Sequence, residues 1–191
     1  DPPPETWLAA NLKNGDRIGY DPWLHTTATI ERLEAACKKA GAELVPVESN
    51  PVDSVWLERP APPIGQVTIH DQKLAGELET AKLEKIRGEL GKLKADALVL
   101  SDSHAVAWTF NIRGADVSHT PLPLSYALVP KDGRPTVFID HRKLSNLTRD
   151  HVEQSADVRE PGALTPALTE LAQGGARIAL DPVLAAEKLR M

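Results

Sequence analysis

The sequence predicts an α/β fold in which helices flank a mixed β-sheet. Three observations carry this. Short apolar segments bounded by turn residues alternate with stretches whose apolar groups recur every three or four residues. Residues 125–130 and 135–140 flank Lys131-Asp132-Gly133-Arg134 and read as a hairpin, with Asp-Gly suited to the positive φ angles of a tight turn. A tight hairpin sets strands antiparallel, which argues against a purely parallel sheet.

Taken in order, residues 17–21 read as a short strand that Pro22 ends. Thr26 or Thr29 is placed to cap a helix containing Ile30, Leu33 and Cys37, and Gly41 closes it. Residues 42–47 return as a second strand, giving one β-α-β unit too small to stand alone. Residues 51–57 read as a short helix with Val52, Val55 and Trp56 on one side. Pro60, Pro62 and Pro63 then make a stiff linker, where we place a domain boundary: residues 1–64 on one side, 65–191 on the other.

Residues 72–94 form the longest helical pattern, with Leu83, Ile86, Leu90 and Leu93 on one face and Leu74 and Leu78 slightly rotated. Residues 95–100 are of buried-strand type, and Ser101 or Asp102 caps a following helix through Val106 and Trp108. After the hairpin come short helices at 144–152 and 163–173, a strand at 177–181 and a helix start beyond Pro182. Arg177-Ile178-Ala179-Leu180-Asp181-Pro182 echoes Arg17-Ile18-Gly19-Tyr20-Asp21-Pro22, the one internal repeat visible.

Composition bounds the function. Of 191 residues, 41% are hydrophobic and 26% charged, ordinary for a globular protein. A net charge of −5 argues against a nucleic-acid partner, and no apolar window has the length of a membrane span. The single Cys37 rules out an internal disulfide, which fits a reducing, cytoplasmic setting. The Pro-rich start reads as linker, and 188–191 reads as mid-helix, so the chain reads as a piece of something longer.

The chemistry is sparse. The six histidines, His25, His70, His104, His119, His141 and His151, show no metal-ligand spacing and there is no Cys pair. All but His119 read as surface or capping residues. Cys37 lies on an apolar helix face and reads as a small hydrophobe. The sequence contains no Gly-x-Ser-x-Gly elbow and no Gly-rich phosphate loop. The four tryptophans, Trp7, Trp23, Trp56 and Trp108, read as core or domain-contact anchors.

The most informative stretch is Ala107-Trp108-Thr109-Phe110-Asn111-Ile112-Arg113-Gly114-Ala115-Asp116-Val117-Ser118-His119-Thr120-Pro121, an apolar run that breaks into two opposite charges and an imidazole. Two readings stay open. In one, Arg113 and Asp116 pair locally, Gly114 supplies a positive φ, and His119 satisfies the same loop. In the other, Arg113, Asp116 and His119 face a site completed by other protein, with the guanidinium suited to a carboxylate or a carbonyl.

That stretch, together with Gly19-Tyr20-Asp21-Pro22-Trp23-Leu24, Asn50-Pro51-Val52-Asp53-Ser54-Val55-Trp56 with Arg59-Pro60, Ser125-Tyr126 and Val137-Phe138-Ile139-Asp140, resembles the long, three-domain form of Xaa-Pro aminopeptidase, of the creatinase and prolidase group. The resemblance runs in order along nearly the whole chain. It implies the tail of a first creatinase-type domain followed by most of a second, both preceding a catalytic domain of pita-bread fold that no segment here matches. It implies a parent metallo-aminopeptidase that releases the residue before proline, using two manganese ions held in that catalytic domain. No metal ligand or catalytic residue is carried over to this chain, which is expected to be inactive alone. The resemblance also implies that this region shapes access for short Xaa-Pro peptides, contacts its own catalytic domain and supports a homodimer. His104-Ala105-Val106 stands where the family often has Leu-Asp-Glu and a hydrophobic residue, so no acidic role transfers there. The alternative is a catalytically inactive peptide- or protein-binding module of the same fold. A third reading is a purely structural dimerisation half.

Overall fold

The computed structural model describes residues 1–191, which divide into two compact units, Asp1–Ala61 with Asp181–Met191, and Pro62–Leu180. The boundary falls inside the Pro-rich stretch. Residues 181–191, however, join the first unit and not the one that precedes them in sequence.

In the first unit, α1 (Pro4–Asn11) occupies what the sequence suggests is linker. Pro4 sits in its first turn, where a missing N–H costs nothing. Strand β1 (Arg17–Tyr20) pairs in parallel with β2 (Glu43–Pro46), and α2 (Thr27–Ala40) crosses between them. Thr26 accepts from the Thr29 N–H to cap α2, and Gly41 at φ +74° ends it, as expected. Tyr20, Ile30 and Leu33 form the small core, with Leu8 of α1 packed against it. Helix α3 (Pro51–Val55) follows, and none of its residues is buried.

The Asp-Pro echo is real in three dimensions. Asp21 Oδ1 accepts from the Trp23 N–H, and Asp181 Oδ1 accepts from the Val183 N–H, each at 2.8 Å. The two segments then bridge antiparallel at Thr26 and Ala186. The Ala28 N–H donates to Pro182 O at 3.0 Å, and the Lys188 N–H donates to Pro22 O at 2.9 Å, a reciprocal pair. Buried Glu187 accepts from Thr27 Oγ1 at 2.7 Å and from Arg190. That guanidinium beside it holds the Glu187 carboxyl below its usual range. The expected helix beyond Pro182 is therefore only a 3₁₀ turn, Glu187–Leu189, because the segment spends its backbone groups on the first unit.

The second unit is built on a five-stranded mixed sheet. Its elements are β3 (Thr68–Ile69), α4 (Gln72–Ala75), α5 (Glu79–Leu93), β4 (Ala97–Leu100), α6 (Ser103–Thr109), β5 (Ile112–Arg113), β6 (Tyr126–Pro130), β7 (Thr136–Phe138), α7 (Asn146–Glu153), β8 (Asp157–Arg159), α8 (Leu164–Gln173) and β9 (Ile178–Ala179). The strand order is β8-β7-β6-β4-β9, parallel at the two outer pairs and antiparallel at the two inner ones. Strands β3 and β5 make a separate antiparallel pair. The core gathers Val106, Phe110 and Ile112 from the α6–β5 segment with Ala127, Val129, Val137 and Ile139 from β6, β7 and just beyond.

Two expectations need correction here. The single helix over 72–94 is two helices, because Gly76 turns left-handed at φ +75° and ends α4. The hairpin is present, but only Gly133 takes a positive φ, +112°. Strand β6 ends at Pro130 and β7 starts at Thr136, so the connection is a longer loop than a two-residue turn.

Candidate functional site

Helix α6 starts on Asp102, whose carboxylate accepts from the His104 and Ala105 N–H groups. It ends in the Trp108–Asn111 turn, where last-turn carbonyls lack helical partners. Three basic side chains arrive at those oxygens. Arg113 Nη1 donates to Ala107 O at 3.3 Å and to Ile112 O at 2.8 Å. Lys82 Nζ donates to Trp108 O at 2.7 Å, and His151 Nε2 lies 3.1 Å from Phe110 O. A helix C-terminus carries partial negative charge, so cations belong there.

Lys82 comes from α5 and is 1% exposed. Besides Trp108 O it donates to Asn111 Oδ1 at 2.6 Å, and its ammonium lies 4.5 Å from the Trp108 ring centroid. Burial pushes its pKa below the ordinary lysine value, partly offset by Glu79 and Glu77 nearby. Asn111 completes the cluster from a left-handed backbone at φ +49°, donating Nδ2 to Glu77 O at 2.9 Å. The Trp-x-Phe-Asn-Ile-Arg-Gly segment is thus a fastening: Phe110 and Ile112 enter the core, and the polar residues between them close the helix end.

The three singled-out residues do not act together. Arg113 does not pair with Asp116. The Asp116 carboxylate is fully enclosed and accepts from the Gly65 N–H at 2.8 Å, the Leu124 N–H at 2.7 Å and Lys143 Nζ at 2.6 Å. Their separation of three residues suggested a local pair, but β5 carries Arg113 along β3 while the chain turns before Asp116. His119 is exposed at φ +60° in the turn bridged by Val117 and Thr120, so it does not satisfy the loop around it.

Gly114 does not have the positive φ that the turn suggested. Its function is close approach: an added Cβ would lie 2.6 Å from Pro123 N and 2.8 Å from Pro123 Cα. Gly114→Ala is therefore expected to destabilise the second unit by about 1–3 kcal/mol through overpacking, read as a lower urea midpoint with unchanged slope.

The remaining candidates are quickly placed. Cys37 is buried in the first unit, and burial pushes its thiol up, so thiolate is scarce at neutral pH. None of the four tryptophans joins a core, contrary to one half of the expectation; all are exposed. His151 is more than a surface residue, since it also meets Glu79 Oε1 at 3.3 Å. No three His, Cys, Asp or Glu side chains stand together as a ligand set, so the residues present do not fit a metal ion. No helix is long and apolar enough to cross a membrane.

Comparisons with known proteins agree with this architecture. The probable Xaa-Pro aminopeptidase P of Fusarium vanettenii is 42% identical over 150 residues, covering 78% of this chain and 24% of that protein. Aminopeptidase P2 of Arabidopsis thaliana is 33% identical over 184 residues, covering 95% of this chain and 26% of that one. The chain therefore spans about a quarter of the length of the curated relatives it matches. Among solved structures, the X-prolyl aminopeptidase of Caenorhabditis elegans, a cytosolic enzyme with a di-nuclear active site, superposes with a TM-score of 0.82 at 29% identity. That match covers 94% of this chain and 30% of the nematode chain. With residues 58–190 also matching the model of the creatinase/prolidase N-terminal domain, this chain belongs to that family.

Proposed function

We propose that this chain is the non-catalytic amino-terminal region of a metal-dependent Xaa-Pro aminopeptidase. The observation that carries the reading is the TM-score of 0.82 across 94% of the chain against an X-prolyl aminopeptidase three times as long. The fastened helix end and the Asp116–Lys143 pair support a scaffold role, since their polar groups are consumed internally. In this reading the two manganese ions bind elsewhere in the full-length polypeptide, in its catalytic domain. The region shapes access for short Xaa-Pro peptides, and the enzyme works as a cytoplasmic homodimer.

The test is direct. Full-length protein is expected to release the first residue of a Xaa-Pro peptide, to lose that activity in EDTA and to regain it with manganese. Residues 1–191 alone are expected to release nothing. A full-length protein without such activity would favour the binding-module reading instead.

Arg113 and His119 remain the candidates for the face near substrate, because Asp116 is enclosed while His119 is open and Arg113 Nη2 and Nε donate to no protein atom. In the full-length enzyme, His119→Ala is expected to lower kcat/KM on short Xaa-Pro peptides by about tenfold at an unchanged melting temperature, the scale of a lost substrate-positioning contact. Arg113→Ala is expected to do the same with a melting temperature lowered by a few degrees, since it also caps Ala107 O. Unchanged kinetics in both variants would remove this loop from the substrate path.

A further inference from the structure

Two dipeptides in this chain carry a reaction that needs no catalyst. Asn14-Gly15 is its one Asn-Gly pair, and Asp132-Gly133 is its one Asp-Gly pair. In each, the glycine amide nitrogen is placed to attack Cγ of the residue before it, because glycine brings no Cβ to crowd the approach. A C–N bond forms and a five-membered succinimide closes. Asn expels ammonia, and protonated Asp expels water, the glycine N–H proton leaving with either group. Water then opens the ring, at Cγ to give Asp, or at the backbone carbonyl to give isoaspartate, whose main chain runs through the former side chain. Nothing is oxidised or reduced. In an unfolded chain at neutral pH the Asn-Gly pair reacts first, since a carboxylate repels the nucleophile until it gains a proton.

The fold opposes that order. The Gly15 nitrogen is occupied, its N–H donating to Gly41 O at 2.9 Å. The turn around it is closed on both sides: the Lys13 N–H donates to Asp16 Oδ2 and the Glu43 N–H to Asp16 O, each at 2.8 Å. The Asn14 side-chain amide packs on Gly41 so closely that a Cβ there would have no room. Attack requires the Gly15 N–H to leave Gly41 O and Asn14 to swing away, so it waits for the turn to open. Asp132-Gly133 has no such protection. Residues 131–134 are all exposed, and the Gly133 N–H donates to no protein atom. An added Cβ at Gly133 would meet only Pro130 Cγ, at 3.8 Å, so the space beside that nitrogen is open. Arg87 Nη2 donates to Gly133 O at 2.7 Å, which fixes the peptide group after the reacting one and leaves the reacting one free.

We propose that Asp132-Gly133, in the β6–β7 loop, is a self-modifying site that turns to isoaspartate in the folded protein, while the fold keeps Asn14-Gly15 intact. The modification adds a methylene to the main chain between Asp132 and Gly133. That displaces Gly133 O from Arg87 Nη2 and leaves the guanidinium with Glu84, to which Nη1 donates at 2.7 Å. The site is independent of the peptidase reading, since the reaction uses only this loop and water.

The experiment ages full-length protein for weeks at neutral pH and body temperature, beside the same protein in urea. Buried Cys37, unreactive toward maleimide, marks the folded sample. Peptide mapping resolves isoaspartate from aspartate at equal mass, and an isoaspartyl methyltransferase labels it. Deamidation at Asn14 reads as a gain in mass. In urea, Asn14 is expected to react ahead of Asp132. In the folded protein, Asn14 is expected to slow by at least about a hundredfold, while isoaspartate at position 132 forms within about threefold of its rate in urea, so the order reverses. Asp132→Glu, whose ring would have six members, is expected to lose the mark in that loop and to leave Asn14 protected. Folded protein in which Asn14 still reacts ahead of Asp132 overturns the proposal, and so does folded protein that gathers no isoaspartate at position 132.

Discussion

Asp116→Ala is expected to unfold the second unit earlier than any other single change, by about 3–5 kcal/mol, or a melting temperature lower by roughly 10 °C. Two side chains at 0% and 5% exposure meet at 2.6 Å, Asp116 Oδ2 against Lys143 Nζ. Removing the carboxylate leaves the ammonium with only Leu124 O, at 3.2 Å, and orphans the Gly65 and Leu124 N–H groups. Asp116 thereby joins three places distant in sequence: the end of the Pro-rich linker, its own loop, and the 3₁₀ turn His141–Lys143. Asp116→Asn leaves the Lys143 charge unanswered and falls between wild type and Asp116→Ala. The double variant Asp116→Leu with Lys143→Met recovers part of the loss, because no charge is then stranded. Thermal and urea melts of the four proteins check the series. A loss under about 1 kcal/mol for Asp116→Ala would show the pair to be solvated in solution.

Lys82→Met is the second large effect. It leaves Trp108 O and Asn111 Oδ1 without their donor inside the protein, at about 1–3 kcal/mol each. The sign of the pH dependence follows from the lowered pKa, whose largest cause is burial. Between that lowered value and the ordinary 10.5, the unfolded chain binds more protons at this site than the folded one. Stability therefore rises with pH across that window, as the cost of holding a buried charge disappears. Subtracting the Lys82→Met profile from wild type isolates this site. The difference is expected to be flat well below the window and to shift toward wild type on approaching 10.5. A difference that stays flat throughout would mean that burial leaves this ammonium unperturbed.

The strands and most helices were legible because they depend on local patterns. The capping of α2 by Thr26, the αL Gly41 and the Asp102 cap are readable from residue type and spacing. Lys82 was legible too: Leu78, Lys82, Ile86 and Leu90 run at intervals of four, so a cation interrupts an apolar row. Counting only the apolar members of that row hides it. Lys143 had no such signal. It follows His141 and Arg142 in a polar run, and its burial arises from a carboxylate 27 residues away. Spacing also misled at Arg113 and Asp116, because pairing with β3 sets the direction of Arg113 from a strand 45 residues earlier, Thr68 facing Arg113. The C-terminal helix failed for a related reason: its pattern is helical, but partners in the first unit claim the backbone.

The return of residues 181–191 to the first unit has a consequence for biogenesis. A ribosome delivers Pro62–Leu180 as one uninterrupted segment, able to close as soon as it clears the exit tunnel. The unit that holds Asp1–Ala61 must wait for Glu187 before Thr27 and His25 receive their partners. Of these two units, the one whose residues emerge earlier is closed later, and a nascent chain arrested near Leu180 carries an orphaned β-α-β layer for proteases and chaperones to find.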